Sequence, residues 1–271
     1  MLRRTLLQVM PLLAAATALQ AREALALAGI DQIRLGVSDT SRALSFHARL
    51  FGGEVREDAS SGSVGLRLGA SILLLQDTAD PGLLLQGFAL EGSPAGLPVL
   101  LQEQGIRSET QADGSVLVQD GDGVRTRLGT AQVWESLAAS TLPFAVGRPL
   151  FQALLVDEVA LNVTNMQVDS MFYARLLGQT STAVAGSQYF RLGSHARLRL
   201  GQTAVGQPAG FSYMSVLVAN TDMDAAAEAV FRAGGIVESF LPNGFSFWDP
   251  DGLRIVVRTA PQVLDAAAVV P

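Results

Sequence analysis

Apolar and polar positions along the chain repeat one set of patterns. Residues 32–37 alternate as a strand and stop at Ser38-Asp39. A helix is expected next, capped by Asp39, Thr40 or Ser41. It would carry Ala43, Leu44, Phe46, His47, Leu50 and Phe51 on one face and stop at Gly52-Gly53. Three short strand-like runs follow at 54–57, 64–68 and 72–76, separated by Ser/Gly turns. The same order returns at Asp157. A strand over 158–163 leads into a helix capped by Thr164 or Asn165, which runs through Met171, Phe172, Leu176 and Leu177 to Gly178. Runs at 181–184, 189–192 and 196–200 close this unit. Phe46-His47 and Phe172-Tyr173 stand 126 residues apart, as do Gly52 and Gly178.

A second pair of units lies between these. Ser93-Pro94 is expected to open a helix ending at Gly105, with an irregular start because Pro98 falls inside it. Thr221-Asp222 opens a counterpart ending at Gly234-Gly235. The turns Asp120-Gly121-Asp122-Gly123 and Asp249-Pro250-Asp251-Gly252 each lead into a last strand, over 124–128 and 253–258. The repeated order predicts an α+β chain of four βαβββ modules paired into two domains, 29–130 and 154–260. A connector over 131–153 holds Trp134, Pro143, Phe144, Pro149 and Phe151, too apolar for a free linker and so expected to pack. Residues 261–271 form a tail.

The sequence resembles the vicinal-oxygen-chelate superfamily of glyoxalase, bleomycin-resistance and extradiol-dioxygenase proteins. The likeness rests on Ile30-Asp31-Gln32-Ile33, Val37-Ser38-Asp39, Arg42 to His47, Leu50 to Gly53 and the Asp249-Pro250-Asp251-Gly252 turn. It covers about residues 30–130 and 154–259. The resemblance implies two glyoxalase-like domains, each a cupped sheet made from two modules. It also implies that metal ligands, where present, stand on the first and last strands of the modules. Those positions hold Gln32, Leu84, Glu158 and about Met214 on first strands, and about Leu74, Arg127, Leu198 and Val256 on last strands. A divalent cation needs three or four convergent N or O donors, and an arginine repels it. No metal site and no cofactor are therefore expected.

Composition narrows the chemistry further. Hydrophobic residues make up 49% and charged ones 16% of 271 residues, which fits a folded chain. All 19 basic residues are arginine, so Schiff-base and P-loop lysine chemistry is excluded. No cysteine is present, which excludes disulfides and thiolate sites. The net charge of −6 is a poor match for nucleic acid or an anionic membrane.

The N-terminus reads as an export signal over 1–28 of the twin-arginine type. Arg3-Arg4 precede an apolar stretch too short and interrupted to span a membrane, with small residues at Ala24, Ala26 and Ala28. A periplasmic or secreted location is expected; a thylakoid lumen or other organelle is the alternative.

Glu158 is the candidate acid or base, with a strand-edge ion pair to Arg197 or Arg199 as the plainer reading. Gln32 and Arg127 are candidates to bind a carboxylate or carbonyl, unless Arg127 is solvated on the outer face. Arg199, Tyr213 and Trp248 are further candidate ligand-binding residues, and Arg191, Arg197 and Arg199 a basic cluster. His47 fits helix packing and His195 a turn. Three functions stay open: a metal-free module holding a small, partly apolar molecule in its cups; a lyase, isomerase or dioxygenase with atypical site residues such as Glu158; and an accessory subunit of an exported or lumenal complex. Homodimer formation is compatible with each.

Overall fold

In a computed structural model of the chain, residues 24–58, 61–131, 133–140, 149–219 and 221–260 are described. Four successive units carry one strand, one helix and three strands each. The first comprises β1 (Leu27–Val37), α1 (Thr40–Phe51), β2 (Val55–Asp58), β3 (Ser63–Leu68) and β4 (Ser71–Asp77). The second comprises β5 (Gly82–Leu90), α2 (Leu97–Glu103), β6 (Ser108–Thr110), β7 (Val116–Gln119) and β8 (Arg125–Gly129). After α3 (Val133–Ser136) and β9 (Ala138–Ala139) the pattern resumes with β10 (Ala153–Val163), α4 (Met166–Leu177), β11 (Thr182–Val184), β12 (Ser187–Leu192) and β13 (Ala196–Gln202). The last unit is β14 (Gly210–Val218), α5 (Met223–Arg232), β15 (Ile236–Leu241), β16 (Gly244–Trp248) and β17 (Arg254–Thr259).

Local chemistry sets the helix ends. The Asp39 carboxylate accepts from the Arg42 N–H at 3.0 Å and starts α1; the Asn165 side chain accepts from the Val168 N–H at 3.2 Å and starts α4. Gly52 and Gly178, at φ of 63° and 64°, end the same two helices where a Cβ would be strained. One expected start is corrected. α2 begins at Leu97 rather than at Ser93-Pro94, which places Pro98 in the first turn, where its missing N–H costs nothing.

The strands form two mixed sheets. The first has the order β6-β7-β8-β5-β1-β4-β3-β2-β9 and the second β11-β12-β13-β10-β14-β17-β16-β15. Within each unit the first and last strands pair in parallel. The two units of a sheet join along an antiparallel seam, β1 with β5 and β10 with β14, and both seams carry bulges.

Alternate positions define two faces. Ile33, Leu35, Leu73, Leu75 and Phe88 of the first sheet, and Val159, Leu161, Leu198, Met214 and Val257 of the second, enter one continuous core with the inner faces of α1, α4 and α5. The opposite face of each sheet is turned away from this core, and on the first sheet the connector covers part of it at Ile72 and Leu74.

The two halves meet through paired contacts. The Ala70 N–H donates to the Leu154 carbonyl at 2.8 Å, and Ser71 Oγ accepts from the Val156 N–H at 3.0 Å while donating to the Ile30 carbonyl at 2.7 Å. Gly69 lies against Leu154 and Gly193 against Leu27. The connector packs: Trp134 is buried on Ile72 and Leu74, β9 pairs with the edge of β2, and Phe151 is buried beside Phe51 and Phe245.

The expected signal boundary at residue 28 falls inside β1. The Leu25 N–H donates to the Leu177 carbonyl at 3.1 Å and Leu27 is buried. The rest of the expected signal, residues 1–23, and the tail lie outside the described residues. Among the described residues no helix is long and apolar enough to cross a membrane.

Candidate functional site

Strand register fixes which side chains stand side by side on each open face. In the first sheet one row runs Ile72, Gln32, Gly87, Arg127 across β4, β1, β5 and β8. The corresponding row of the second sheet is Arg197, Glu158, Ser215, Val256.

A cavity of about 870 Å³ opens on the first face. Its apolar wall is Leu83, Leu84, Leu85, Leu117 and, from the connector, Leu137; its polar groups include Gln32, Gln76, Gln111, Arg34, Arg125 and Arg127 and the carboxylates Glu57, Asp58 and Asp113. Arg127 is held on two sides, donating to Asp31 at 3.1 Å and to Asp113 at 2.9 Å. The guanidinium is thus a buried, oriented donor and not a solvated outer-face charge. Its two acids titrate far apart. Burial pushes the Asp31 carboxyl up to about 6 against the pull of Arg127. For Asp113, burial is outweighed by the Ser115 and Arg127 hydrogen bonds, which hold it at about 2. Arg34 is engaged by Asp58 at 3.1 Å. Arg125 lines the same cavity, is exposed, and has no acidic partner among the described residues.

On the second face Glu158 is almost fully buried and is bound by Arg197, by the Tyr213 hydroxyl and, at 3.5 Å, by Arg258. Burial and the Glu158 charge push the Tyr213 hydroxyl up to about 12. Arg199 and Arg254 lie over the Tyr213 ring at 5.7 and 5.5 Å. Trp248 is half-buried at the end of β16, on the same face as Ser246.

Solved structures share this fold. A catechol 2,3-dioxygenase matches with a TM-score of 0.68 at 18% identity, over 87% of this chain and 89% of that one. The 2,3-dioxygenase LapB from Pseudomonas sp. KL28 matches with 0.69 at 13% identity, over 88% and 94%. The Mn(II)-bound glyoxalase from Novosphingobium aromaticivorans matches with 0.68 at 14% identity, over 87% and 83%. The chain has the two-domain vicinal-oxygen-chelate fold. At these identities the likeness concerns the fold. No protein-family model matches the sequence, and no curated protein sequence matches it.

A metal-bound protein of this fold raises the question of a metal here, and the donor sets do not fit one. Each row carries an arginine, Arg127 in one and Arg197 in the other, and the second row's single carboxylate is already bound to two guanidiniums and a phenol. Among the described residues no three His, Asp or Glu side chains converge.

Several expected positions are corrected by register. The residue opposite Gln32 is Gly87, not Leu84, and Leu84 is itself skipped where β5 pairs with β1. Met214 and Leu198 point into the core, and the neighbours of Glu158 on the open face are Ser215 and Arg197. Leu74 lies under Trp134 and Leu137. Glu158 is the ion-pair partner of Arg197, as the plainer reading had it. Arg199 donates to Ser187 Oγ at 3.1 Å.

Sequence reasoning passed over Asp31, Asp113 and Arg125. Asp31 precedes Gln32 and alternation alone would send it to the other face; the bulge at the seam brings it behind Arg127. The Arg-Thr-Arg alternation of 125–127 was the available signal for Arg125.

Proposed function

We propose that the protein is a binding module that holds a small, partly apolar molecule bearing a carboxylate or carbonyl, without a metal, in the cavity of its first sheet. The observation that carries this reading is the 870 Å³ space itself, leucine-walled on one side and facing Gln32, Arg125 and a doubly anchored Arg127 on the other. Its volume lies in the range of small-molecule sites, and few fixed polar groups among apolar walls are what such sites contain. Arg127 is positioned before any ligand arrives, so little ordering cost falls on binding. Arg125 would supply the charge that a carboxylate needs. Export is part of the same proposal, supported by Arg3-Arg4 and the apolar stretch after them.

Native mass spectrometry tests it. The protein is purified without added metal and again after incubation with Fe(II), Mn(II), Ni(II) or Zn(II). A metal-free chain carrying a co-purified organic acid or carbonyl compound is the expected result, and exchange of Arg125 for Gln should release it. Stoichiometric metal in either preparation overturns the metal-free reading.

A further inference from the structure

On the open face of the second sheet, Arg191 of β12 and Arg197 of β13 are register partners, so two guanidinium-bearing side chains stand directly opposite one another. Like charges in that relation are destabilising unless an opposite charge lies between them. Arg197 is engaged by Glu158, and a third arginine, Arg258 of β17, by Asp157 at 2.8 Å. Arg191 is exposed and has no acidic partner among the described residues. These three arginines, His195 and the Gly193-Ser194 turn wall a cavity of about 300 Å³. Asp157, the one acid in its wall, and Glu158 beside it offset two of its three guanidiniums. One positive charge is left over, on a chain whose formal net charge is −6.

The geometry points to a binding site in this cavity for a compact oxyanion, a phosphate or a phosphate monoester. Arg191 supplies the uncommitted guanidinium. Arg197 and Arg258 keep donors available beyond the acids that fix them, since a guanidinium has five N–H groups and a carboxylate occupies two at most. An anion between Arg191 and Arg197 removes the repulsion that their register imposes. The volume lies at the lower end of the small-molecule range and admits the anion with a small organic substituent. This site lies on the other sheet from the proposed carboxylate cavity and does not rest on that reading.

Calorimetric titration of the full chain with inorganic phosphate, and separately with phenyl phosphate, tests the site at low ionic strength. Saturable binding of phosphate is expected, and Arg191→Gln should weaken it at least tenfold while Arg232→Gln, on the exposed face of α5, leaves it unchanged. Tighter binding of phenyl phosphate than of phosphate assigns an organic monoester; equal binding assigns the free ion. Absence of saturable binding for both probes, or equal affinity in wild type and Arg191→Gln, overturns the proposal. Phosphate should also raise the melting temperature of the wild type above that in chloride of equal ionic strength, and a rise undiminished in Arg191→Gln would count against the site.

Discussion

His47 Nε2 lies 3.2 Å from the Asp249 carboxylate, both side chains fully buried, 202 residues apart in sequence and on opposite halves of the molecule. The other half repeats the arrangement with a different residue: the Tyr173 hydroxyl donates to Asp120 at 2.8 Å. Each aspartate also closes its own turn. Asp120 accepts from the Asp122 and Val124 N–H groups, Asp249 from those of Asp251 and Leu253. A turn on the second unit of one half is thereby tied to the first helix of the other.

Loss of the Tyr173 hydroxyl should therefore be felt between the halves. Tyr173→Phe leaves Asp120 short of one donor and Gln86 short of one acceptor. A cost of about 1–3 kcal/mol is expected, the range for a buried hydrogen bond to a charged group. In a double-mutant cycle with Asp120→Asn, read by urea unfolding, the coupling should exceed about 0.5 kcal/mol. Simple additivity would show that the bond contributes nothing.

Asp31 gives a pH dependence of definite sign. Burial raises its carboxyl from 3.8 to about 6, so between these values the folded chain holds a proton that the unfolded chain has released. The contribution of this group to stability is fully present below the lower value and falls as pH rises through the upper one. The change is on the order of 2–3 kcal/mol. Unfolding free energies of wild type and Asp31→Asn should consequently shift relative to one another between about pH 4 and pH 7, in favour of the variant as pH rises. A difference that stays constant across that window would refute it.

The two cavity arginines should separate cleanly. Arg127→Leu strands Asp31, and Asp113 beside it, with an expected cost of about 3–5 kcal/mol for a broken buried pair, taken mainly from Asp31 because Asp113 is half exposed. Arg125→Gln should leave stability within about 0.5 kcal/mol. Equal effects in thermal or urea unfolding would remove the distinction between an anchored donor and a free one.

Gly69 tests the junction between the halves. A Cβ there would sit 2.0 Å from the Leu154 carbonyl oxygen, on a residue with φ of +62°. Gly114, at φ of +80°, meets nothing within 4 Å. Gly114→Ala should cost about 1 kcal/mol from backbone strain alone, and Gly69→Ala about 2 kcal/mol or more. Matching losses on unfolding would mean that the close approach is absorbed without strain.

What the sequence disclosed follows its periodicities. Helix caps at Asp39 and Asn165, the glycines that end α1 and α4, and the Asp-Gly turns before β8 and β17 are local signals, and the order of elements follows from them. The side toward which a strand residue points has a period of two, so one bulge reverses it. That is why Asp31 was overlooked; Met214 and Leu198 were each placed one residue from the open-face positions Ser215 and Arg197, and a one-residue misplacement reverses the face in the same way. The His47–Asp249 contact was out of reach for another reason: each residue alone has an ordinary explanation, helix packing for one and a turn for the other. The constant spacings, 126 residues from His47 to Tyr173 and 129 from Asp120 to Asp249, were visible but do not say which helix meets which turn.

Contacts between the halves come in twos. The Ser38 N–H donates to Asp251 as the Thr164 N–H does to Asp122, and Gly193 rests on Leu27 as Gly69 does on Leu154. A twofold dimer interface has this self-complementary form, and here both partners are carried on one chain. Assembly of such an interface is unimolecular, so dilution does not dissociate it as it would two separate subunits. A dimer of identical chains must also present the same residue on both sides of its axis. A single chain is released from that identity, and can place a phenol at one of two equivalent positions and an imidazole at the other.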